Sequence, residues 1–452
     1  MPVNNDYLSW GRAHRFEQRP NNLSWRSIID LANIPEPMLA HGLGRSYGDS
    51  CLNASGSLLL TKGLDHMIAF DHNTGVLECE SGVSLSSILN LIVPHSYFLP
   101  VSPGTKYVTV GGAIANDVHG KNHHVAGTFG KHVLSFKLLR SNGEVLNCSP
   151  EENRELYAAT IGGMGLTGLM ISAKIKLKKA HPVINQEIIK FNSLTELQEI
   201  ENSSQSKYEY TVSWIDTLAE GNQFGRGLYF RGNHSENITS NPSRHLHSNP
   251  FFKVFFDAPS FLLSDFSIKI FNSMLFNKQR SEKKLQTISY DSFFYPLDSI
   301  KSWNRLYGKR GLYQYQFVVS CDNLDFLKEI LQFLQKSRQA SFLTVLKKFG
   351  SISSPGLMSF PIQGWTLALD FPNRGSSTLK VLFDLDRIIS GMNGRLYPAK
   401  DGHMPASMFQ ASYPNWEEFK KYLDPQFSSN FWRRVCTPAK NEALYETASL
   451  SI

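Results

Sequence analysis

The sequence predicts an α+β protein of two domains, one rich in glycine turns and one in which antiparallel strands alternate with covering helices. Three observations support this class. The 452 residues exceed the size at which a single core keeps growing. Three glycine clusters lie before residue 170, and beyond about residue 181 glycine thins while aromatic, strand-like runs alternate with helical patterns. Hydrophobic residues at 41% and charged residues at 19% are typical of a globular protein.

The composition shift sets the expected boundaries. We expect a first domain at 1–180, a second at 181–395, and a C-terminal segment at 396–452 that returns to the first domain and its site. The net charge of +7 is spread along the chain, which does not favour nucleic acid as a partner. The five cysteines are far apart and lack a C-x-x-C, so we expect free thiols and no metal site. No signal peptide or membrane-spanning run is visible, which predicts a cytoplasmic protein and leaves open a peripheral contact with the inner membrane.

The first glycine turn follows the apolar residues 38–40 and reads GLGRSYGDS at 42–50. Its backbone N–H groups, with Ser46 and Arg45, suit contact with phosphate, because glycine lets a backbone approach a ligand closely. The alternative is a loop capped by Asp49.

The second turn is the densest stretch of polar groups in the chain. VSPGTKYVTVGGAIANDVHGKNHH, at 101–124, joins a Pro-Gly turn and a Gly-Gly pair to asparagine, aspartate, lysine and three histidines. We interpret it as a phosphate-bearing cofactor loop with catalytic side chains at its downstream end. A glycine turn before a solvated polar loop is the alternative, since short motifs often match by chance.

The third cluster, IGGMGLTGLM at 161–170, feeds the alternating strand ISAKIKLKKA. A glycine turn that leads into a strand is the reverse of G-x-G-x-x-G opening a helix, so the Rossmann fingerprint is not met. The sequence therefore favours a dinucleotide site of another architecture.

The remaining elements of the first domain follow from local patterns. Pro-punctuated residues precede a short helix at 25–32, and a turn at 71–75 joins two strands. A serine-capped helix occupies 84–91, the Asn142-Gly143 turn joins two hairpin strands, and a helix follows Pro150 at 151–160.

In the second domain, the strand-like runs are 208–214, 227–230, 313–319, 342–347 and 365–371, and the helical patterns are 323–336 and 377–389. The segment 235–285 stands apart as long, mobile and phenylalanine-rich, with a basic end at 278–284. It suits either a bilayer surface or an apolar flap over the site, and the two interpretations are equally supported.

At these motifs the chain resembles the vanillyl-alcohol-oxidase-type FAD flavoproteins and, within them, the decaprenylphosphoryl-β-D-ribose 2′-oxidase family. The three glycine turns carry the resemblance, together with YGKRGLYQYQFV, LKKFG, FPIQGW, NGRLYPAKD and LDP. The resemblance implies a two-part FAD-binding domain, an antiparallel-sheet substrate domain with covering helices, and a role in cell wall or polysaccharide biosynthesis.

The same resemblance implies that FAD is held without a covalent bond, because Tyr47 stands in the turn where many relatives attach flavin through a histidine. The residues it places at FAD are Gly42, Gly44, Arg45, Ser46, Tyr47, Gly48, Asp49, Ser50, Gly104, Thr109, Val110, Gly111, Gly112, Asn116, Asp117, Val118, His119, Ile171 and Tyr397.

The implied reaction is oxidation of the 2′-hydroxyl of a polyprenyl-phosphoribose to a ketone by hydride transfer to flavin, the first half of an epimerisation. Lys400 and His119 are the expected catalytic residues. The residues expected to orient the sugar or its phosphate are Lys121, Gln314, Gln316 and Lys347. The implied partners are the lipid-linked sugar and an NAD(P)H-dependent short-chain reductase.

Three departures bear on the substrate rather than the flavin. The family's pocket commonly has Tyr, Asn and Cys where this chain has Phe294, Thr366 and Ala368, and lost polar groups alter specificity. An FAD oxidase or dehydrogenase of a soluble polyol, aldonolactone or sugar is therefore the alternative function. A non-enzymatic scaffold ranks last.

Overall fold

The computed structural model describes residues 7–236, 252–259, 263–337, 339, 341 and 343–436. The strands of its N-terminal part are β1 (Arg19–Asn22), β2 (Met38–His41), β3 (Ser57–Leu60), β4 (Met67–Asp71), β5 (Val76–Glu80), β6 (Tyr97–Phe98), β7 (Val133–Leu139), β8 (Val145–Cys148), β9 (Leu169–Lys176) and β10 (Lys178–Lys179). The helices of this part are α1 (Leu85–Ile92), α2 (Val110–Ala115), α3 (His123–Ala126) and α4 (Arg154–Thr160).

These strands form two principal sheets. Three parallel strands pair in the order β1-β3-β2, and five antiparallel strands pair in the order β4-β5-β9-β7-β8. The predicted β7–β8 hairpin is present, and Gly143 in its turn has a φ of +84°. Ser84 caps α1 as expected, with its hydroxyl accepting from the Ser87 N–H at 3.0 Å.

The strands of the remaining part are β11 (Val183–Phe191), β12 (Tyr210–Ile215), β13 (Gly227–His234), β14 (Phe252–Lys253), β15 (Lys283–Ser289), β16 (Ile300–Lys301), β17 (Leu312–Val319), β18 (Thr344–Phe349), β19 (Gly364–Pro372) and β20 (Arg395–Leu396). The helices are α5 (Leu194–Ser204), α6 (Asp265–Lys278), α7 (Tyr290–Phe294), α8 (Asp325–Ser337), α9 (Ser376–Gly391), α10 (Ala406–Ser412), α11 (Trp416–Phe419) and α12 (Asn430–Cys436).

Eight of these strands form one large antiparallel sheet in the order β15-β11-β13-β12-β18-β19-β17-β20. The apolar sides of α5, α8 and α9 share a buried cluster with residues of this sheet, for example Leu327 and Leu385 with Phe317. The α+β class is thus confirmed. The boundaries at 180 and 395 stay predictions, although β20 pairs with β17 at the edge of the large sheet.

Some local expectations were wrong. The helix expected at 25–32 is only a 3-10 turn, Arg26–Ile28, with no buried residue to hold a longer helix against the core. α4 begins at Arg154, three residues later than expected, after Asn153 takes a left-handed conformation.

Part of the segment at 235–285, expected to be mobile, lies outside the described residues, namely 237–251 and 260–262. Its described part holds β14, α6 and the start of β15. Among the described residues, no helix has the length and apolar character needed to cross a bilayer.

Candidate active site

The three glycine turns meet at one place. A Cβ at Gly42 would lie 2.5 Å from the Thr109 hydroxyl oxygen, so the first turn rests directly against the second. The third turn reaches the same helix, because the N–H of Gly162 donates to Ile114 O at 3.0 Å and that of Met164 to Ala115 O at 2.7 Å. The first and third turns are more than a hundred residues apart in the sequence, and the fold brings both into contact with the second.

The surroundings of the turns fit a dinucleotide. Thr109 caps α2 by accepting from the Gly112 N–H at 3.1 Å, which fixes the Gly-Gly backbone. A Cβ at Gly104 would meet no protein atom within 4 Å, so this backbone faces open space. Within the described chain, the hydroxyls of Ser50 and Ser81 are buried without a hydrogen-bond partner. Close backbone approach, open space and unpaired hydroxyls are what a bound pyrophosphate or ribityl chain requires.

Several side chains expected at the cofactor are instead engaged with protein groups. The Asp49 carboxylate accepts two hydrogen bonds from Arg434, and the Asp117 carboxylate accepts from the Gly130 N–H at 2.8 Å. The Arg45 guanidinium stacks 4.3 Å from the Trp10 ring centroid. Residues 45, 49 and 117 can therefore reach a cofactor through their backbones, while these side chains hold the turns in shape.

Tyr397 and Ile171, both expected at the cofactor, lie outside the second turn and support it through hydrogen bonds. The Tyr397 hydroxyl donates to Asn116 O at 2.8 Å, and the carbonyl of Ile171 accepts from the Ser81 N–H at 2.9 Å. Ser81 in turn lies beside Gly111, whose built Cβ would be 3.1 Å from the Ser81 Cβ.

The C-terminal segment carries Lys400 to the first turn. The Tyr47 N–H donates to Ala399 O at 2.9 Å, and the Lys400 ammonium lies 3.9 Å from the centroid of the Tyr47 ring. Arg434 holds this approach in place, because it donates hydrogen bonds to Asp49 in the first turn and to Asp401 next to Lys400. Two distant parts of the chain are thereby joined by one half-buried guanidinium.

His119 stands at the end of the second turn with both ring nitrogens engaged. The Gln316 amide lies 3.0 Å from Nε2, and the Lys347 amine lies 3.1 Å from Nδ1. Burial, followed by the positive charge of Lys347, holds the pKa of His119 well below its ordinary value, and Lys400 acts in the same direction. The imidazole is therefore neutral and fixed in orientation.

Three half-buried lysines belong to the same site as this histidine. Burial lowers the pKa of Lys121 to about 7, that of Lys347 to about 7 and that of Lys400 to about 8. Repulsion from Lys121 and Lys400 further lowers the pKa of Lys347, so Lys347 lies near both of the other amines. Lys121 also donates to the carbonyl of Phe293. A bound anion would therefore stabilise the charged forms of these amines.

The large sheet contributes a further set of side chains to the site, from β17 and β19. Gln314 and Gln316 alternate on β17, and their cross-strand partners on β19 are Asp370 and Ala368. Gln314 donates to Asp370 at 2.5 Å, and Gln316 donates to the Thr366 hydroxyl at 3.2 Å. Partners directly opposite in a sheet share a face, so all of these side chains line the same side.

Asp370 and Tyr307 are members of this site that the sequence analysis missed. Asp370 is fully buried, its carboxylate lies 3.5 Å from the Tyr307 hydroxyl, and burial raises its pKa to about 7. Tyr47 belongs to the same group, since the charge of Asp370 raises its already high, burial-raised pKa. A carboxylate inside the apolar run TLALDFP was the available signal.

The fold thus brings together the six residues expected to act on substrate, with Asp370 and Thr366 beside them. A neutral imidazole, three amines of lowered pKa and one carboxyl of raised pKa can accept a proton and bind an anion at neutral pH. The individual roles stay predictions.

Comparison with known proteins identifies the family to which the chain belongs. Residues 25–149 match the family described as an FAD binding domain. The chain is 35% identical over 419 residues to decaprenylphosphoryl-beta-D-ribose oxidase of Mycolicibacterium smegmatis, covering 88% of this chain and 89% of the relative. It is 28% identical to an uncharacterised protein of Streptomyces coelicolor, over 78% of this chain and 100% of that protein. A putative D-arabinono-1,4-lactone oxidase of Neurospora crassa is 27% identical over 30% of this chain and 24% of its own length.

Proposed function

Because the chain belongs to the decaprenylphosphoryl-β-D-ribose oxidase family of FAD-binding oxidoreductases, we propose that it oxidises the 2′-hydroxyl of a polyprenyl-phosphoribose to a ketone. FAD, when bound, supplies the acceptor for the hydride. The observation that carries the substrate class is the group of three half-buried lysines, Lys121, Lys347 and Lys400, among which only Lys400 has its pKa raised by a described carboxylate, that of Asp370. A phosphodiester or phosphate entering this group restores the charge balance that a neutral polyol leaves unmet.

We assign each residue of the site a role in the reaction from its position. Lys400, with a pKa of about 8, accepts the proton of the reacting hydroxyl, since a base works best with a pKa near the operating pH. His119 is held neutral between Gln316 and Lys347 and contacts the sugar. Lys347 and Lys121 bind the phosphate as point charges. The three glycine turns and Tyr397 hold FAD without a covalent bond.

In an epimerisation at C2, the ketone is the intermediate and not the end product. Its reduction from the opposite face gives the epimeric alcohol, and this needs a hydride donor. We therefore propose an NAD(P)H-dependent short-chain reductase as the functional partner that consumes the product.

A lipid-linked substrate requires contact with a membrane, and α6 offers the surface for it. Of the thirteen exposed large hydrophobic side chains of the described residues, eight lie between positions 252 and 285. On α6, Ile268 and Phe276 pack inward while Phe266 and Met274 are 75% and 68% exposed. Scattered exposed hydrophobic residues are normal, but a concentrated patch of this kind marks an interaction site.

Charge and position both favour an anionic bilayer as the occupant of this patch. The exposed cations of the same stretch of sequence are Lys253, Lys269, Lys278, Arg280, Lys283 and Lys284. Leu263, just before α6, packs in one cluster with Tyr47 and Tyr307 of the candidate site. α6 therefore begins two residues after a side chain that packs against the candidate site, and we propose a peripheral protein that takes its substrate from the cytoplasmic face of the inner membrane.

Anaerobic stopped-flow spectroscopy tests the reaction. We expect a polyprenyl-phosphoribose to bleach the flavin of the holoenzyme, and the dephosphorylated sugar, simple pentoses and aldonolactones to bleach it at least tenfold more slowly. Bleaching by a soluble sugar at an equal or higher rate would favour the alternative substrate class. A colourless protein that releases no FAD on heating would refute the whole proposal.

Vesicle flotation tests the membrane contact. The parent should float with vesicles that contain anionic lipid and not with neutral ones, and Phe266→Ser combined with Met274→Ser should reduce flotation at least fivefold. Val145→Ser, at an exposed hydrophobic residue on β8, is the matched control. Equal flotation of all three proteins would contradict the assignment of α6.

A further inference from the structure

Asp370 is a carboxyl group of the candidate site that has no role in the proposed reaction. Asp370 lies on β19 with none of its surface exposed, and it is hydrogen bonded to Gln314 at 2.5 Å. Its backbone N–H donates to the Ser341 hydroxyl at 2.9 Å, which fixes the strand at this position. A buried carboxyl group in an apolar strand is costly, so it is kept for a reason other than packing.

Asp370 and Lys400 lie in one enclosed group with the ring of Tyr47. Lys400 stacks on that ring at 3.9 Å, Tyr47 packs in one buried cluster with Tyr307, and the Tyr307 hydroxyl lies 3.5 Å from the Asp370 carboxylate. Asp370 has no exposed surface and Lys400 is half-buried, so the attraction between their charges is screened less than it would be in water.

From this geometry we propose that Asp370 is a positioning residue that sets the charge of the Lys400 amine, and with it the pH range in which Lys400 can take the proton of the substrate hydroxyl. The inference rests on the proposed function, in which Lys400 is that proton acceptor. The step balances: the C2–H bond breaks with its electron pair passing to FAD, the hydroxyl proton passes to Nζ of Lys400, and the C=O bond forms.

Asp370 and Lys400 each shift the pKa of the other. Burial lowers the pKa of Lys400 and the attraction of Asp370 raises it again, to a net value of about 8. Burial raises the pKa of Asp370, and hydrogen bonding from Gln314 and the charge of Lys400 lower it again, to a net value of about 7. The two groups therefore titrate near neutral pH and influence one another.

The other titratable groups around the pair do not substitute for Asp370. His119 is neutral, and Tyr47 and Tyr307 have pKa values well above their ordinary range because of burial. Lys347 is repelled by Lys400 and is present in every variant compared. Among the described residues, Asp370 is the charged group that raises the pKa of Lys400.

The experiment follows the rate of anaerobic flavin reduction against pH, from 6 to 9.5, in the holoenzyme. In the parent, the rate should rise with pH as Lys400 loses its proton. In Asp370→Asn, the midpoint of that rise should move to lower pH by about 1 unit, the lower end expected for losing a nearby opposite charge. At pH 7 the neutral fraction of Lys400 then increases about fivefold, so the variant is faster than the parent there.

A purely structural role would lower the rate at every pH and leave the midpoint in place, and that result overturns the proposal. So does an Asp370→Asn enzyme that binds FAD and reduces it at no pH, because Asp370 would then act on the substrate itself. Asp370→Ser is a second neutral variant for which the same shift is expected, and Asp370→Glu should keep the parent's midpoint. If a soluble sugar proves to be the substrate, the same pH series is run with it, so the substrate class can fail while the role of Asp370 is still decided.

Discussion

His403 is clamped between two carboxylates just beyond Lys400, and this predicts a pH-dependent loss of stability. Its Nε2 lies 3.2 Å from Asp386 and its Nδ1 lies 3.1 Å from Asp401. Burial alone would lower the pKa of His403, but attraction to Asp386 and Asp401 outweighs it and raises the pKa from 6.5 to about 9.

The magnitude follows from linkage. A folded-state pKa above the unfolded value means that the contribution is fully present below pH 6.5 and is lost as the pH rises from 6.5 to about 9. A shift from 6.5 to about 9 corresponds to about 3 kcal/mol of unfolding free energy. In His403→Gln this titration is absent. The difference in unfolding free energy between parent and variant should therefore be largest at pH 6 and smaller by about 3 kcal/mol at pH 9.5.

Urea unfolding of the holoprotein, followed by tryptophan fluorescence at pH 6, 7.5 and 9.5, measures this difference. His132→Gln is the control, because His132 is hydrogen bonded to the carbonyl of Ala126 and its pKa is lowered by burial. Its difference from the parent should not change between pH 7.5 and 9.5. A His403→Gln difference that is equally flat would refute the assignment of His403 as a buried imidazolium.

Three further predictions concern substrate binding, the stability of the site and the attachment of FAD. Lys347→Met should raise the KM for the phosphosugar about 10-fold to 100-fold through loss of a charge-assisted contact, whereas Lys348→Met, whose amine faces the Trp365 ring, should change it less than twofold in steady-state assays. Arg434→Gln should lower the unfolding free energy by about 3–5 kcal/mol because two buried carboxylates lose their partner, and Arg433→Gln by about 1 kcal/mol in the same urea titration. Heating or acid should release all the yellow colour into the supernatant, and colour left in the protein pellet would contradict non-covalent FAD.

Much of this site could be anticipated because its parts have local signatures. Glycine turns, an Asn-Gly hairpin and a serine cap are set by the backbone needs of a few neighbouring residues, and each is found where the sequence placed it. The alternating residues 314 and 316 were found through the resemblance, and their strand confirms that both face one side.

Other features had no local signature. Asp370 is a lone carboxylate in a buried strand, and its importance depends on Lys400 and Gln314, which arrive from other strands and turns. The same holds for Arg434, whose two partners lie 385 and 33 residues away along the chain. Such pairings are decided by the packing of the large sheet against the glycine turns, which no short window of sequence contains.

The most direct test of the central claim is a crystal structure of the holoenzyme with a non-reactive polyprenyl-phosphoribose analogue. The account predicts that the pyrophosphate of FAD lies along the turns at 42–50 and 109–112, and that the Lys400 amine lies within hydrogen-bond reach of the sugar's 2′-oxygen. It also predicts Lys347 at the phosphate. A flavin bound elsewhere, or a sugar held with Lys400 and His119 on opposite sides and out of reach, would contradict it.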